Sequence, residues 1–344
     1  MSEVEGSVSE RRGEWRPEQP AGFAPIFVWP PQPKAFAKFL FTWGGFLWPW
    51  QIIYLGLAIV SWEWLQLDLN RSRDFRFDWI ATIFLRNMVI LWVFAGGWHL
   101  VLYILKRQGL DRKYDPRWPF VGRRTFLFNS QVRDNVFWSC VSGVAVWSAW
   151  EVILVYGYAN GWLPYLSWSD NPTLFVLLFL AVPFWRELHF YFTHRLLHWA
   201  PIYRRVHALH HKNTNPGPWS GLAMHPIEHI VYFSTLAIHF VVPTHPWHMM
   251  FNATETALTP AQGHTGFDGN VLDGKLPTGS YFHWLHHRYF ECNYGEAGIP
   301  LDRWFGTFRD GSDEGEGTTR PTEHQYEIKG EDPYLLRSTS APSE

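Results

Sequence analysis

The residues of this chain best suited to chemistry are its histidines. The stretch from Glu187 to His211 carries six of them in 25 residues. Five fall into two tight spacings, His194-x-x-x-His198 and His207-x-x-His210-His211, and the second spacing returns downstream as His283-x-x-His286-His287. On a helix, residues four apart lie about 40° round the axis and roughly 6 Å along it, so His194 and His198 share a face. Positions i, i+3 and i+4 also share a face, so each three-histidine cluster is expected to converge on one point. The eight imidazoles of these clusters exceed the needs of one ion and divide naturally between two; imidazole suits iron, zinc, copper and nickel. A lone pair at four-residue spacing is explained as well by core packing or by zinc hydrolysis. The zinc protease signature, however, needs Glu directly after the first His, where this chain has Arg195. A di-zinc hydrolase mixes carboxylates with its histidines. A His-rich membrane metal carrier, the rival from another class, wants its ligands near the bilayer midplane. Two imidazole-bound irons with open positions can instead cleave O2 and take hydrogen from an unactivated C–H bond, chemistry that apolar surroundings would shelter from water.

The elements that must position these histidines read as membrane helices. Of 344 residues, 22 are Trp and 27 are Phe, aromatics make up 18% and charged residues only 17%, against about 25% charged in an ordinary soluble domain. Trp and Tyr in such excess mark membrane interfaces. A net charge of −2 excludes a nucleic-acid partner, and Cys140 and Cys292, far apart, form no metal-binding pair. Phe39 to Trp62 is uncharged for 24 residues, with Pro49 inside it, and Asn87 to Leu105 is uncharged for 19. Further apolar runs cover about 135–158, interrupted by Glu151, and 173–185. Four spans follow, at about 39–62, 87–105, 135–158 and 173–185. Eight Lys/Arg between Lys106 and Arg133, and none between Val152 and Trp185, put the 106–133 loop, both termini and everything after Arg186 in the cytosol. Pro201 should end the helix bearing His194 and His198, so that helix continues the fourth span. Ile230 to Val242 is too short to cross and reads as interfacial, re-entrant, or half of a hairpin dipping into the bilayer. The fold class expected is all-α and integral to the membrane, about four transmembrane helices plus a cytosolic helical His-rich di-metal domain. Residues 1–33 are expected to be disordered, 34–309 to form one membrane-embedded domain with its catalytic region at 186–309, and 310–344 to be a disordered acidic tail.

The motifs HRLLH (194–198), HALHH (207–211), AMHPIE (223–228), GHTGFD (263–268) and HWLHHRYFECNYG (283–295), followed by DRWFGTF (302–308), resemble the sterol desaturase and fatty acid hydroxylase superfamily. The resemblance covers roughly 180–310, in the family's order. It implies an integral-membrane di-iron oxidoreductase, a monooxygenase or desaturase of lipids that uses O2 and electrons from a separate cytochrome- or ferredoxin-type carrier. It also implies His194, His198, His207, His210, His211, His264, His283, His286 and His287 as catalytic iron ligands, with zinc able to replace iron in a purified sample. Glu187, His189, His225, Glu228, His229, Asp268 and Asn293 are candidates for a further ligand or for orienting one. Asn293, Gly295 and Asp302 are expected to cap and orient the last ligand helix. Sterol-type substrates are favoured over fatty-acyl, sphingoid, ether-lipid and aminolipid ones. The protein would reside in the endoplasmic reticulum or a bacterial inner membrane with its catalytic face cytosolic. Arg195, Arg204, Arg205, Lys212 and Arg288 could dock the electron donor.

Overall fold

The computed structural model describes residues 13–66 and 68–312. The acidic tail after 312 and the first 12 residues, both expected to be disordered, lie outside the described residues. The described residues are mostly helical, with one small hairpin among them, β1 (Gly269–Val271) against β2 (Leu276–Thr278). Helices α1 (Pro33–Phe41) and α2 (Trp50–Glu63) open it. Three longer helices follow, α3 (Phe77–Ile104), α4 (Gln131–Ala159) and α5 (Pro172–Leu197), each long and apolar enough to cross a membrane. Then come α6 (Pro226–Phe233), α7 (Pro246–Gly263) and α8 (Tyr281–Tyr289).

The second to fourth expected spans match α3, α4 and α5, but the first does not form one helix. Residues 42–49 make a tight turn in which the Gly44 amide donates to the Trp48 carbonyl (3.0 Å) and Gly44 takes a φ of +78°. The 14 residues of α2 reach about 21 Å at 1.5 Å per residue, short of a hydrocarbon core of about 30 Å. The turn sits at the histidine-bearing end of the bundle, where the Trp43 and Trp50 indoles donate to the Lys275 and Pro277 carbonyls, both at 2.9 Å. At the other end of α2, Glu63 accepts from the Trp247 indole (2.8 Å). The first expected span is thus replaced by two short helices, and three helices among the described residues are long and apolar enough to cross a membrane. α3 begins ten residues earlier than its uncharged run because the Arg86 guanidinium, buried inside it, pairs with Glu151 of α4, and Asn87 joins them. A charge held by a neighbouring helix does not end a membrane helix.

The chain from 226 to 240 descends from the histidine end and α7 climbs back, so that Ile230 to Val242 is one limb of a helical hairpin. At its foot Thr244 meets Tyr158 of α4 (2.7 Å) and His239 (2.9 Å). α7 starts with Pro246 at its first turn and ends at His264. It is buried along almost its whole length, packed among α2, α3, α4 and α5. The sequence reading did not anticipate it, because Asn252, Thr254, Glu255 and Thr256 interrupt any apolar run.

Residues 13–32 fall within the segment expected to be disordered, yet they lie against the histidine-bearing end. The Ala21 and Ala24 amides donate to the Asp310 and Ala297 carbonyls at 2.9 and 3.0 Å. The reason is aromatic anchoring: Phe23 packs 4.6 Å from Phe308, and Trp15 packs on Tyr114.

Candidate metal centre

α5 is launched by Asn171, whose side chain accepts from the Leu174 amide, and by Pro172 at its first position. It runs through Pro183 to bring His194 and His198 to its last turn. After Pro201 a π-helical turn, Tyr203–His207, leads into Ala208–His211. α8 is capped by Ser280, which accepts from the His283 amide, and is closed by Phe290 at a φ of +70°.

The imidazoles gather into two buried groups, but not as the spacing suggested. His194, His198, His207, His211 and His286 form one group, and His210, His264, His283 and His287 the other, the ligand atoms within each lying within 4.8 Å of one another. Neither three-histidine cluster converges on a single point. His207 with His211, and His283 with His287, stay together as i and i+4 partners. The middle histidine of each motif precedes its neighbour by one residue, about 100° of rotation, and so reaches into the opposite group. His210 and His286 therefore exchange places and lace the two groups together. His264 joins the second group, with its Nε2 3.0 Å from that of His287 and 3.2 Å from that of His283.

Four of the rings are held from behind. His194 Nδ1 donates to the Tyr294 carbonyl (2.6 Å), His286 Nδ1 to that of Cys292 (2.7 Å) and His264 Nδ1 to that of Pro260 (2.7 Å). His207 Nδ1 donates to Glu228 Oε1 (2.7 Å). A carbonyl can only accept, so the rings of His194, His286 and His264 carry their proton on Nδ1 and turn a bare Nε2 inward. His194 Nε2 then faces His207 Nε2 at 3.1 Å, and His286 Nε2 faces that of His211 at 3.0 Å. Such a pair is closed either by an N–H of the facing ring or by a cation between the two nitrogens. Two nitrogens bound about 2.1 Å from an ion at a right angle lie about 3.0 Å apart. The residues present therefore fit metal ions. Burial also suppresses the protonated form that would compete with metal: it pushes His207 down to about 3 and His264 to about 4, and it lowers His210, His211, His283, His286 and His287.

The supporting residues divide clearly. Asp302 accepts the Tyr294 and Gly295 amides, both at 2.8 Å, fixing the peptide whose carbonyl holds His194. Asn293, at a φ of +54°, donates to the Phe282 and Arg309 carbonyls at 3.0 and 2.9 Å and so ties the first turn of α8 to the closing segment. Glu187 stands outside both groups and accepts the Ile299 amide (2.8 Å). His189 meets Ser234 (2.9 Å), His225 caps α6, and His229 lies between Ser142 and the Leu222 carbonyl, each at 3.1 Å. Asp268 accepts from the Tyr114 hydroxyl (2.5 Å). His99 stacks on Tyr103, and His248 faces the Phe175 carbonyl (2.8 Å). Of the basic residues, Lys212 is tied to Asp134 (2.7 Å) and Arg288 to Glu14 (3.3 Å), while Arg195, Arg204 and Arg205 stay exposed.

Both histidine groups open on one cavity of about 400 Å³, walled by Phe39 and Phe46, by Phe190 and Leu197 of α5, and by Met224. Its other end carries polar residues that sequence reasoning missed. Arg186 lies 2.5 Å from Glu296 and 3.4 Å from Glu255, and Gln51 donates to Glu255 (2.7 Å). The available signal was an arginine and a glutamate embedded in otherwise apolar helices.

Residues 177–307 match the fatty acid hydroxylase family model. The chain is 28% identical over 246 residues to the tobacco Delta(7)-sterol-C5(6)-desaturase, covering 66% of this chain and 82% of the relative. It is 24% identical over 253 residues to the Delta(7)-sterol 5(6)-desaturase of Candida glabrata, 69% of this chain and 66% of the relative. With the Saccharomyces cerevisiae Delta(7)-sterol 5(6)-desaturase the figures are 23% over 229 residues, 65% and 62%. No solved structure matches the chain.

Proposed function

We propose, for a chain that belongs to the sterol desaturase and fatty acid hydroxylase superfamily, a membrane-bound di-iron oxidoreductase that hydroxylates or desaturates a lipid C–H bond. The observation that carries this reading is the pair of buried all-imidazole groups opening on a largely apolar cavity. His194, His198, His207, His211 and His286 would hold one iron, and His210, His264, His283 and His287 the other. When bound, the two irons would supply O2 activation and the oxidising power for C–H cleavage.

The chain's own residues do the rest. Glu228 and the carbonyls of Tyr294, Cys292 and Pro260 hold protons on Nδ1, keeping each Nε2 free and each ring fixed. Phe190, Leu197 and Met224 exclude water from the lipid beside the histidines. Among the described residues neither histidine group includes a carboxylate, which disfavours a hydrolase. The groups sit at the end of α5 and beyond it, which disfavours a carrier that binds ions at the midplane.

Sterols remain the favoured substrate class, since the relatives quoted are named as sterol desaturases. Electrons would come from a separate carrier docking near Arg195, Arg204 and Arg205. Four crossings, the first of them broken at residues 42–49, would place this face in the cytosol. Comparing lipid extracts of cells with and without the protein by mass spectrometry tests the reading. A lipid gaining one oxygen atom signals hydroxylation, and one losing two hydrogen atoms signals desaturation. Unchanged lipids in a protein that carries iron would contradict it.

A further inference from the structure

We propose that the end of the cavity remote from the histidines is a head-group site that takes the hydroxyl of an alcohol lipid, recognised by Gln51, Glu255 and Thr259. This deepens the lipid-oxidase reading and rests on it. Gln51 and Tyr54 on α2 face Glu255 and Thr259 on α7, and these two helices pack closely together. Gln51 Oε1 and Glu255 Oε2 are buried and reach no hydrogen-bond partner, and Thr259 Oγ1, beside the Tyr54 hydroxyl, lines the same wall of the cavity. Glu255 is 0% exposed. Its other oxygen is already engaged, by the Gln51 amide (2.7 Å) and by the Arg186 guanidinium (3.4 Å). Buried polar atoms are ordinarily paired, so two unpaired ones on a cavity wall mark the place of a ligand.

The kind of ligand follows from what is unpaired. The atoms on Gln51 and Glu255 are acceptors, and the Thr259 hydroxyl on the same wall can donate. A lipid alcohol matches both at once, donating its proton to Glu255 Oε2 and accepting from a hydroxyl. An anionic head group would meet Glu187, Glu255 and Glu296, which line the same cavity against the single cation Arg186. An ammonium would leave the hydroxyl donor unused and would compete with Arg186 for its carboxylates. The site is separate from the metal centre. Arg186 precedes His194 by eight residues on α5, and Glu255 precedes His264 by nine along α7, about 12 to 14 Å along the axes at 1.5 Å per residue. A lipid lying along the cavity would thus be gripped by its hydroxyl at one end while the histidines face its body.

The test offers the purified full-length protein, in detergent, cholestan-3β-ol, the hydrocarbon cholestane and 3β-aminocholestane, with retention read by native mass spectrometry and metal content measured beside it. The alcohol should be held about tenfold more tightly than either analogue. Glu255→Gln and the isosteric Thr259→Val should each remove most of that preference and leave the metal content unchanged. Thr259→Val carries the test if Glu255→Gln fails to fold. Equal retention of alcohol and hydrocarbon, failure to retain the alcohol, or tighter retention of the amine would overturn the proposal, as would a preference untouched in a folded Thr259→Val. These outcomes are independent of the metal count, so a wild-type protein that discriminates head groups but binds no iron would contradict the oxidase reading alone.

Discussion

At the residue scale, the assignment of each histidine depends on what lies behind its ring. His210 belongs to one group and His286 to the other, so His210→Ala and His286→Ala should each abolish lipid oxidation and lower metal content. His245→Ala should retain both, since His245 caps α7 and packs on Tyr165, Phe175 and Trp247 outside both groups. Glu228→Gln tests the support directly. An amide in place of the carboxylate weakens the hold on the His207 proton, and metal affinity should fall about 10- to 100-fold, read by competition with a chelator. Nearly all of these histidines were legible from spacing and resemblance. Their division was not, because i, i+3 and i+4 do share a broad helical face, and only the facing helix decides that the 100° between adjacent histidines sends them to different groups. The rear partners were mostly invisible for a simpler reason: three of the four holding groups are backbone carbonyls, which no residue type announces.

At the element scale, two joints keep the groups in register. Ser280 caps α8 through the His283 amide, and its replacement by Ala should cost about 1 kcal/mol. Glu187 on α5 receives the closing segment so tightly that a Cβ at Gly298 would come within 2.2 Å of its Oε2. Gly298→Ala should therefore destabilise the protein by roughly 1 to 3 kcal/mol, as overpacking does. Circular dichroism melts of both variants check these values, and a Gly298→Ala protein as stable as wild type would remove this joint from the account. The long apolar helices α3, α4 and α5 were readable because lipid-facing residues such as Leu85, Val89 and Val93 are exposed on the protein surface and give an unbroken apolar signal. α7 was not, since a helix buried among four others can carry Glu255, Asn252 and its threonines inward, leaving no periodic stripe. The first span misled for the opposite reason. Its composition is uniformly apolar, yet Gly44, Gly45 and Pro49 break the helix and turn the chain beneath the histidine-bearing end.

At the scale of the whole molecule, seven exposed tryptophans mark two levels, apart from Trp92 midway along α3 and Trp29 near the start of the described residues. Trp64, Trp162 and Trp168 ring the end of the bundle away from the histidines, while Trp43, Trp48, Trp199 and Trp304 ring the histidine end, as expected where helices leave a bilayer. The basic 106–133 loop lies at the histidine end, which argues for a cytosolic catalytic face. Protease digestion of sealed vesicles from the outer or lumenal side alone should leave the C-terminal tail intact, and its loss would reverse the orientation. The central claim, that two all-imidazole groups each hold one ion, is tested most directly by metal analysis. Protein loaded anaerobically with iron and freed of loosely bound metal should carry two irons per chain. A double variant, His264→Ala with His283→Ala, removes half of one group and should carry one. One iron or fewer in the fully loaded wild type, or two irons retained in the folded double variant, would contradict the account.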